Sequence, residues 1–230
     1  MRLRAGTSGW SYKEWKGHFY PEKMAAKDML RFYGTRFSTV EVNNSFYRMP
    51  TPSTLASWAA EVPEDFSFVL KASQRITHIK RLKEVGESIE YLVKNSAGLG
   101  AKLGPYLFQL PPNFRKDLPR LQEFLSLLPA GVRAAVEFRH TSWFEDDVFA
   151  TLAARNAPLC IADTGEEGDP PFVATADWGY LRLRGVEYAE DALRSWKERV
   201  TAQTWGEAFV FFKHEEAGTG PKLAARFMEI

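Results

Sequence analysis

Short runs of alternating apolar and polar residues recur along the chain, separated by stretches whose apolar residues repeat at helical spacing. Eight such runs read as strands: residues 3–8, 37–42, 66–72, 105–110, 133–138, 158–163, 179–184 and 208–213. Between them lie helical patterns at 25–36, around Leu55, Trp58 and Ala59, and at 87–99, 117–128, 144–156, 189–202 and 221–228. Thr51-Pro52-Ser53 opens the second helix, with Ser53 as its cap, and Asp117 caps the helix at 117–128. Residues 172–175 read as a short strand-like approach to the seventh strand, after a loop at 164–171 rich in Gly, Glu and Pro. Single helices between strands imply parallel pairing with right-handed crossovers.

The strands share one further property. Their C-terminal ends turn polar: Thr7 and Ser8, Glu41 with Asn43, Lys71, Gln109, Glu137 with Arg139, Asp163, Arg182 with Arg184, and Lys213. Period-two alternation sets these groups against the apolar residues of the same strand. Lys71 opposes Phe66 and Phe68, Glu137 and Arg139 oppose Val136 and Phe138, and Arg182 and Arg184 oppose Leu181 and Leu183. Polar groups at every strand end predict a single-domain (β/α)₈ barrel over residues 1–230, with its site at the C-terminal mouth. A doubly wound open sheet is the alternative, and it places ligands at one switch point instead.

Charge and composition narrow the function less than they narrow the fold. A net charge of +1 gives no global field toward nucleic acid or membrane. The single Cys160 leaves no disulfide and no cysteine pair for zinc or an iron–sulfur cluster, which fits a reducing cytoplasm. The start MRLRAGTSGW lacks the apolar core of a signal peptide, and no run approaches the roughly 18 apolar residues of a membrane span. GTSG has neither the spacing nor the lysine of a phosphate-binding P-loop. The histidines His18, His78, His140 and His214 are scattered, without the spacing of a zinc motif. Carboxylates alone suit Mg²⁺ or Mn²⁺, and no nucleotide or redox cofactor motif is present.

Each candidate group has a structural reading beside its chemical one. Glu41 is an acid, base or metal ligand, or the partner of Lys71 in a salt bridge. Glu137 is a general acid or base tuned by Arg139, or half of a structural ion pair. Lys71 and Lys213 serve imine chemistry or charge stabilisation, and nearby carboxylates favour the second. Asp163, with Thr164 and Gly165, orients a hydroxyl, ligates a metal or caps a turn. His78, with Arg75, Lys80 and Arg81, forms an anion-binding loop or a solvated helix start. Trp10, Tyr12, Phe46, Tyr47, Trp143 and Trp178 stack on a planar ligand or plug the core.

The segments GTSGWSYKEWKGHFYP, FSTVEVNNSFYRMP, FSFVLKASQRITH, GPYLFQLPPNF, VEFRHTSWF and TADWGYLRLRG resemble the YecE-like family, domain of unknown function 72. The resemblance runs from Gly6 to the last strand and implies a TIM-type barrel; it carries no reaction with it. Two positions depart from the family pattern. Arg184 stands where members often carry His, and Lys213-His214 where they often carry Asn-Asn. Both changes make this mouth more basic.

Together these features predict a hydrolase or lyase acting on a small anionic substrate, phosphorylated or nucleotide-like. Glu137, Glu41, Asp163 and Lys71 are the expected catalytic groups. Asn43, Asn44, Tyr47, His78, Gln109, Arg139, Trp178, Arg182, Arg184 and Lys213 are the expected substrate-binding groups. The rival classes are a non-catalytic ligand-binding or nucleic-acid-associated barrel, and glycoside hydrolysis by Glu41 and Glu137.

Overall fold

The computed structural model describes residues 1–163, 170–185, 187–214 and 216–230. Thr164 and Gly165 lie outside the described residues. The strands are β1 Arg2–Thr7, β2 Thr39–Val42, β3 Ser67–Lys71, β4 Leu103–Gln109, β5 Ala134–Glu137, β6 Ile161–Asp163, β7 Trp178–Leu183 and β8 Glu207–Phe212. The α-helices are α1 Met29–Gly34, α2 Pro52–Glu61, α3 Gly86–Ser96, α4 Leu118–Leu127, α5 Asp146–Ala154, α6 Glu190–Thr201 and α7 Thr219–Glu229.

The strands form two parallel sheets, ordered β1-β8-β7-β6 and β2-β3-β4-β5. Isolated parallel bridges link them at two places, Ser8 to Glu41 and Val136 to Leu159. All the described strands therefore run in one direction. The segment at 158–163 divides its pairing: Pro158 and Cys160 bond Val136 of β5, whereas β6 pairs with β7.

Both faces of the strands are buried, as parallel sheets require. Phe68, Leu70, Val136, Phe138, Leu181 and Leu183 belong to the larger core cluster, with helix residues such as Leu55, Leu121 and Val148. The opposite phase builds a smaller cluster of Val69, Leu107, Ala135, Cys160, Trp178, Tyr180, Phe209 and Phe211. Directly opposed residues in a parallel pair share a face, so Glu41 beside Val69 belongs to this inner set. Arg182, two residues after Tyr180, joins it by alternation.

Three local expectations are corrected. The cap of α2 is Thr51, whose hydroxyl accepts from the Thr54 amide at 3.2 Å; Pro52 occupies the first turn, where it loses no intrahelical bond. Asp117 does cap α4, accepting from Arg120. Residues 172–175 are not a strand. There the Thr175 hydroxyl takes the place of ladder pairing, donating to the Ala157 carbonyl and accepting from the Leu159 amide, each at 2.8 Å. Finally, β7 opens at Trp178, opposite Glu207, the first residue of β8, so Trp178 lies at the N-terminal ends of the strands.

Candidate functional site

Three buried ionic side chains form the centre of the C-terminal end. Arg182 donates through Nη1 to Glu137 Oε2 at 2.7 Å and through Nη2 to Glu41 Oε1 at 2.9 Å. One guanidinium thus ties β7 to β2 and β5. Glu41 also accepts from the Ser8 hydroxyl and from the Tyr180 hydroxyl, both at 2.6 Å. All three charges are 2 % exposed or less, a burial tolerated because each is paired. Burial alone would raise the Glu137 pKa. The charges and hydrogen bonds of Arg182 and Arg139 outweigh it and hold the carboxyl at about 2. Burial acts against the Arg182 charge, yet Glu41 and Glu137 carry its pKa well above the usual value. A carboxylate held ionised this firmly supplies no proton near neutral pH. Glu137 is bonded to both Arg182 and Arg139.

A second layer surrounds this centre and is more cationic. Arg139 Nε lies 3.0 Å from Glu137 Oε1, and Arg184 Nη1 lies 4.0 Å from the same atom. Lys71 ends β3 with its ammonium 4.2 Å above the Phe46 ring. Among the described residues no carboxylate comes within 4.0 Å of it. Burial first, and Arg182 second, lower its pKa to about 8 against the opposing pull of Glu41 and Glu137. Arg184 is lowered for the same two reasons, burial and Arg182. His78 lies on a single π-turn at Arg75–Ile79, edge-on to Phe46, and bonds Thr77 through Nδ1 at 2.8 Å. Burial first, and then the charges of Lys71 and Arg139, lower its pKa below the ordinary histidine value. Gln109, opposite Glu137 in the register, is buried, and its Oε1, like Arg182 Nε, has no partner among the described residues.

Glu41, Lys71, Glu137, Arg139, Arg182, Arg184, Gln109 and His78 therefore share one end and one neighbourhood. Others do not follow the expectation. In β6 the inward phase falls on Ala162, opposite Arg182. Asp163 pairs with Leu183 on the other phase and accepts from the Tyr188 hydroxyl at 2.7 Å. Lys213 follows β8 and is exposed. Asn43 and Asn44 line a lateral cavity beside the ends of β1 and β2. Tyr47 is 72 % exposed and lines a separate cleft with Arg75 and Tyr91. Trp178 is corrected outright: it sits at the opposite end, under the Arg133 guanidinium at 4.3 Å, with its indole N–H on the Asn156 carbonyl. Among the described residues no three His, Cys, Asp or Glu side chains are grouped to hold a metal.

Ser8, Tyr180 and Phe46 complete the site; Ser8 was legible as a polar strand end and Phe46 as an aromatic that stacks on a ligand or plugs the core, but none was expected among the substrate-binding groups. Tyr180 had a signal, because it shares the phase of Arg182. The contact of Phe46 with Lys71 had none: it depends on the 3₁₀ turn at Asn44–Phe46, pinned by the Ser45 hydroxyl between the Val42 and Lys71 carbonyls.

Parallel strands with a buried ionic centre and a cationic rim at their C-terminal ends define an α/β protein whose polar chemistry is gathered at that end. The chain belongs to the family described as protein of unknown function DUF72, whose model matches residues 4–230. It is 29 % identical to the UPF0759 protein YecE of Escherichia coli strain K12 over 60 % of this chain and 49 % of that protein, so the match spans about half of that relative's length. It is 25 % identical to the UPF0759 protein YunF of Bacillus subtilis strain 168, over 98 % of this chain and 93 % of that one. The crystal structure of a DUF72 family protein from Thermotoga maritima MSB8 superposes with a TM-score of 0.87 at 26 % identity, covering 100 % of this chain and 98 % of that one. A DUF72 family protein from Enterococcus faecalis V583 gives 0.84 at 20 % identity, covering 99 % and 94 %, a likeness of fold.

Proposed function

We propose that the eight strands close into one (β/α)₈ barrel and that its C-terminal mouth binds a small anion, such as a phosphate ester, for hydrolysis or elimination. The parallel bridges at both seams support closure. One observation carries the functional reading. Lys71, Arg139 and Arg184 surround a centre whose two carboxylates already bond Arg182, and Lys71 has no carboxylate within 4.0 Å among the described residues. The surplus positive potential in a partly desolvated mouth calls for an oxyanion. In this reading Arg139 and Arg184 hold the anion, and Arg182 with Glu41 and Glu137 holds the arginines. Lys71, with its pKa near 8, gives a proton to the departing oxygen.

Isothermal titration with phosphate, sulfate and nucleoside monophosphates at low salt tests binding, and product analysis on phosphate monoesters tests turnover. Saturable binding lost in an Arg139→Ala, Arg184→Ala variant is expected. Absence of heat for every anion in the parent protein would remove the reading. A second reading, non-catalytic capture of single-stranded nucleic acid, draws on exposed Tyr47 and Tyr91 beside Arg75. Tight oligonucleotide binding with a steep salt slope and no turnover of any monoester would favour it.

A further inference from the structure

The lateral cavity beside the mouth belongs to a different chemistry. Its volume is about 460 Å³, within the range of small-molecule sites. The turn after β1 supplies Trp10 and Tyr12, the turn after β2 supplies Asn43, and α2 supplies Trp58 and Glu61. Gly9 makes the first turn possible. Its φ is +95°, and a Cβ there would meet the Tyr12 hydroxyl at 2.6 Å. That hydroxyl is itself committed to the Ser8 carbonyl at 2.7 Å, so Tyr12 offers the cavity its ring. Trp10 and Trp58 stand at 84° with centroids 4.9 Å apart, forming a corner of two indoles over an apolar floor of Leu30 and Val42.

Two residues of this wall, Asn43 and Glu61, each carry a buried acceptor, Oδ1 and Oε2, with no partner among the described residues. Neither is used by the ionic centre. A buried acceptor calls for a donor, and a ligand bearing O–H or N–H groups brings one. The two charged residues of its lining, Lys27 and Glu61, carry opposite signs and so ask for no net charge. An aromatic corner at right angles suits a puckered ring with C–H faces better than a flat base, which needs a parallel slot.

We infer that this cavity is a second binding site, for a neutral polyhydroxylated ring of monosaccharide size. Its C–H faces lie on Trp10 and Trp58, and its hydroxyls donate to Asn43 and Glu61. The site is independent of the anion-binding reading of the mouth.

The test uses methyl glucoside, methyl galactoside, methyl mannoside and xylose as probes, each up to millimolar concentration, by saturation-transfer NMR and tryptophan fluorescence. At least one probe is expected to bind saturably, with affinity unchanged between low and high salt and unchanged in Arg139→Ala, Arg184→Ala. Glu61→Gln, which keeps size and fold, is expected to weaken it about tenfold, and Trp58→Phe to change the fluorescence response. No saturable binding by any probe overturns the inference. So does binding that Glu61→Gln and Asn43→Ala leave unchanged, or a purine nucleoside that binds where no sugar does.

Discussion

The two ends of the strands use the same ingredients in opposite arrangements. At the N-terminal end one carboxylate serves two arginines: Glu207 accepts from Arg4 at 2.6 Å and from Arg133 at 2.8 Å. Arg4 spends its remaining described bonds on the Ser38 and Asp65 carbonyls, and Arg133 lies over Trp178. At the C-terminal end one arginine serves two carboxylates, and Lys71, Arg139 and Arg184 stand around it. Both arrangements hold two cations for each carboxylate. At the first, Arg4 and Arg133 each bond Glu207 directly; at the second, Arg184 reaches Glu137 only at 4.0 Å and Lys71 has no carboxylate within 4.0 Å among the described residues. Similar buried ion pairs thus differ in their surroundings: one fastens the strands, and the other fastens them beside the cations to which we assign the ligand.

The largest expected effect is on stability at the mouth. Glu137→Ala strips Arg182 and Arg139 of a shared partner and should cost about 3–5 kcal/mol by denaturant unfolding. A loss below about 1 kcal/mol would mean that the pair contributes no more than an exposed one. Acid should act through the same group. Its folded pKa of about 2 lies below the ordinary 4.5, so its contribution is whole above pH 4.5 and is lost as pH falls from 4.5 toward 2. That contribution is on the order of 3 kcal/mol, and Glu137→Gln should flatten this part of the stability–pH curve.

Next in size is the loss of anion affinity. Removing Arg139 and Arg184 together should weaken sulfate binding roughly 100-fold, about 2.7 kcal/mol, while stability changes by less. The corresponding change at the other end should do the reverse. Glu207→Gln should lower stability by about 1–3 kcal/mol and leave anion affinity where it was. If both ends affected binding equally, the contrast between them would be empty.

Much of this was legible in the residues. Alternation alone put Glu41, Lys71, Glu137 and Arg182 on one face, because strands buried on both sides display inward charges as interruptions of an apolar run. Alternation failed where a strand was too short to show its phase. β6 has three residues, and its polar end, Asp163, belongs to the other side from Arg182. Strand direction was legible, and a strand at 179–184 already leaves Trp178 at its N-terminal end; placing Trp178 among the mouth residues followed its nearness to a strand end and not which end it was. The lateral cavity left no trace in the strand pattern, because Trp58 and Glu61 come from a helix whose other residues read as ordinary. The setting of Glu137 was also hidden. Its neighbours were predictable in kind, but only their distances show it bonded to Arg182 and Arg139 at once.

The account rests most heavily on Lys71 as a titratable cation facing a ligand site. Sulfate keeps one charge state from pH 7 to pH 9.5, so its affinity reports the protein's own titration. The lysine is a cation below its pKa of about 8 and neutral above it. Arg182, Arg139 and His78 surround it, with Glu41 and Glu137 opposing, and of these only His78 ordinarily titrates near this range, below pH 7 here. Calorimetric titration of sulfate at low salt should show affinity falling roughly tenfold or more between pH 7 and pH 9.5, with the fall absent in Lys71→Met. Affinity that stays level across that range, or a fall that persists without Lys71, would contradict the account.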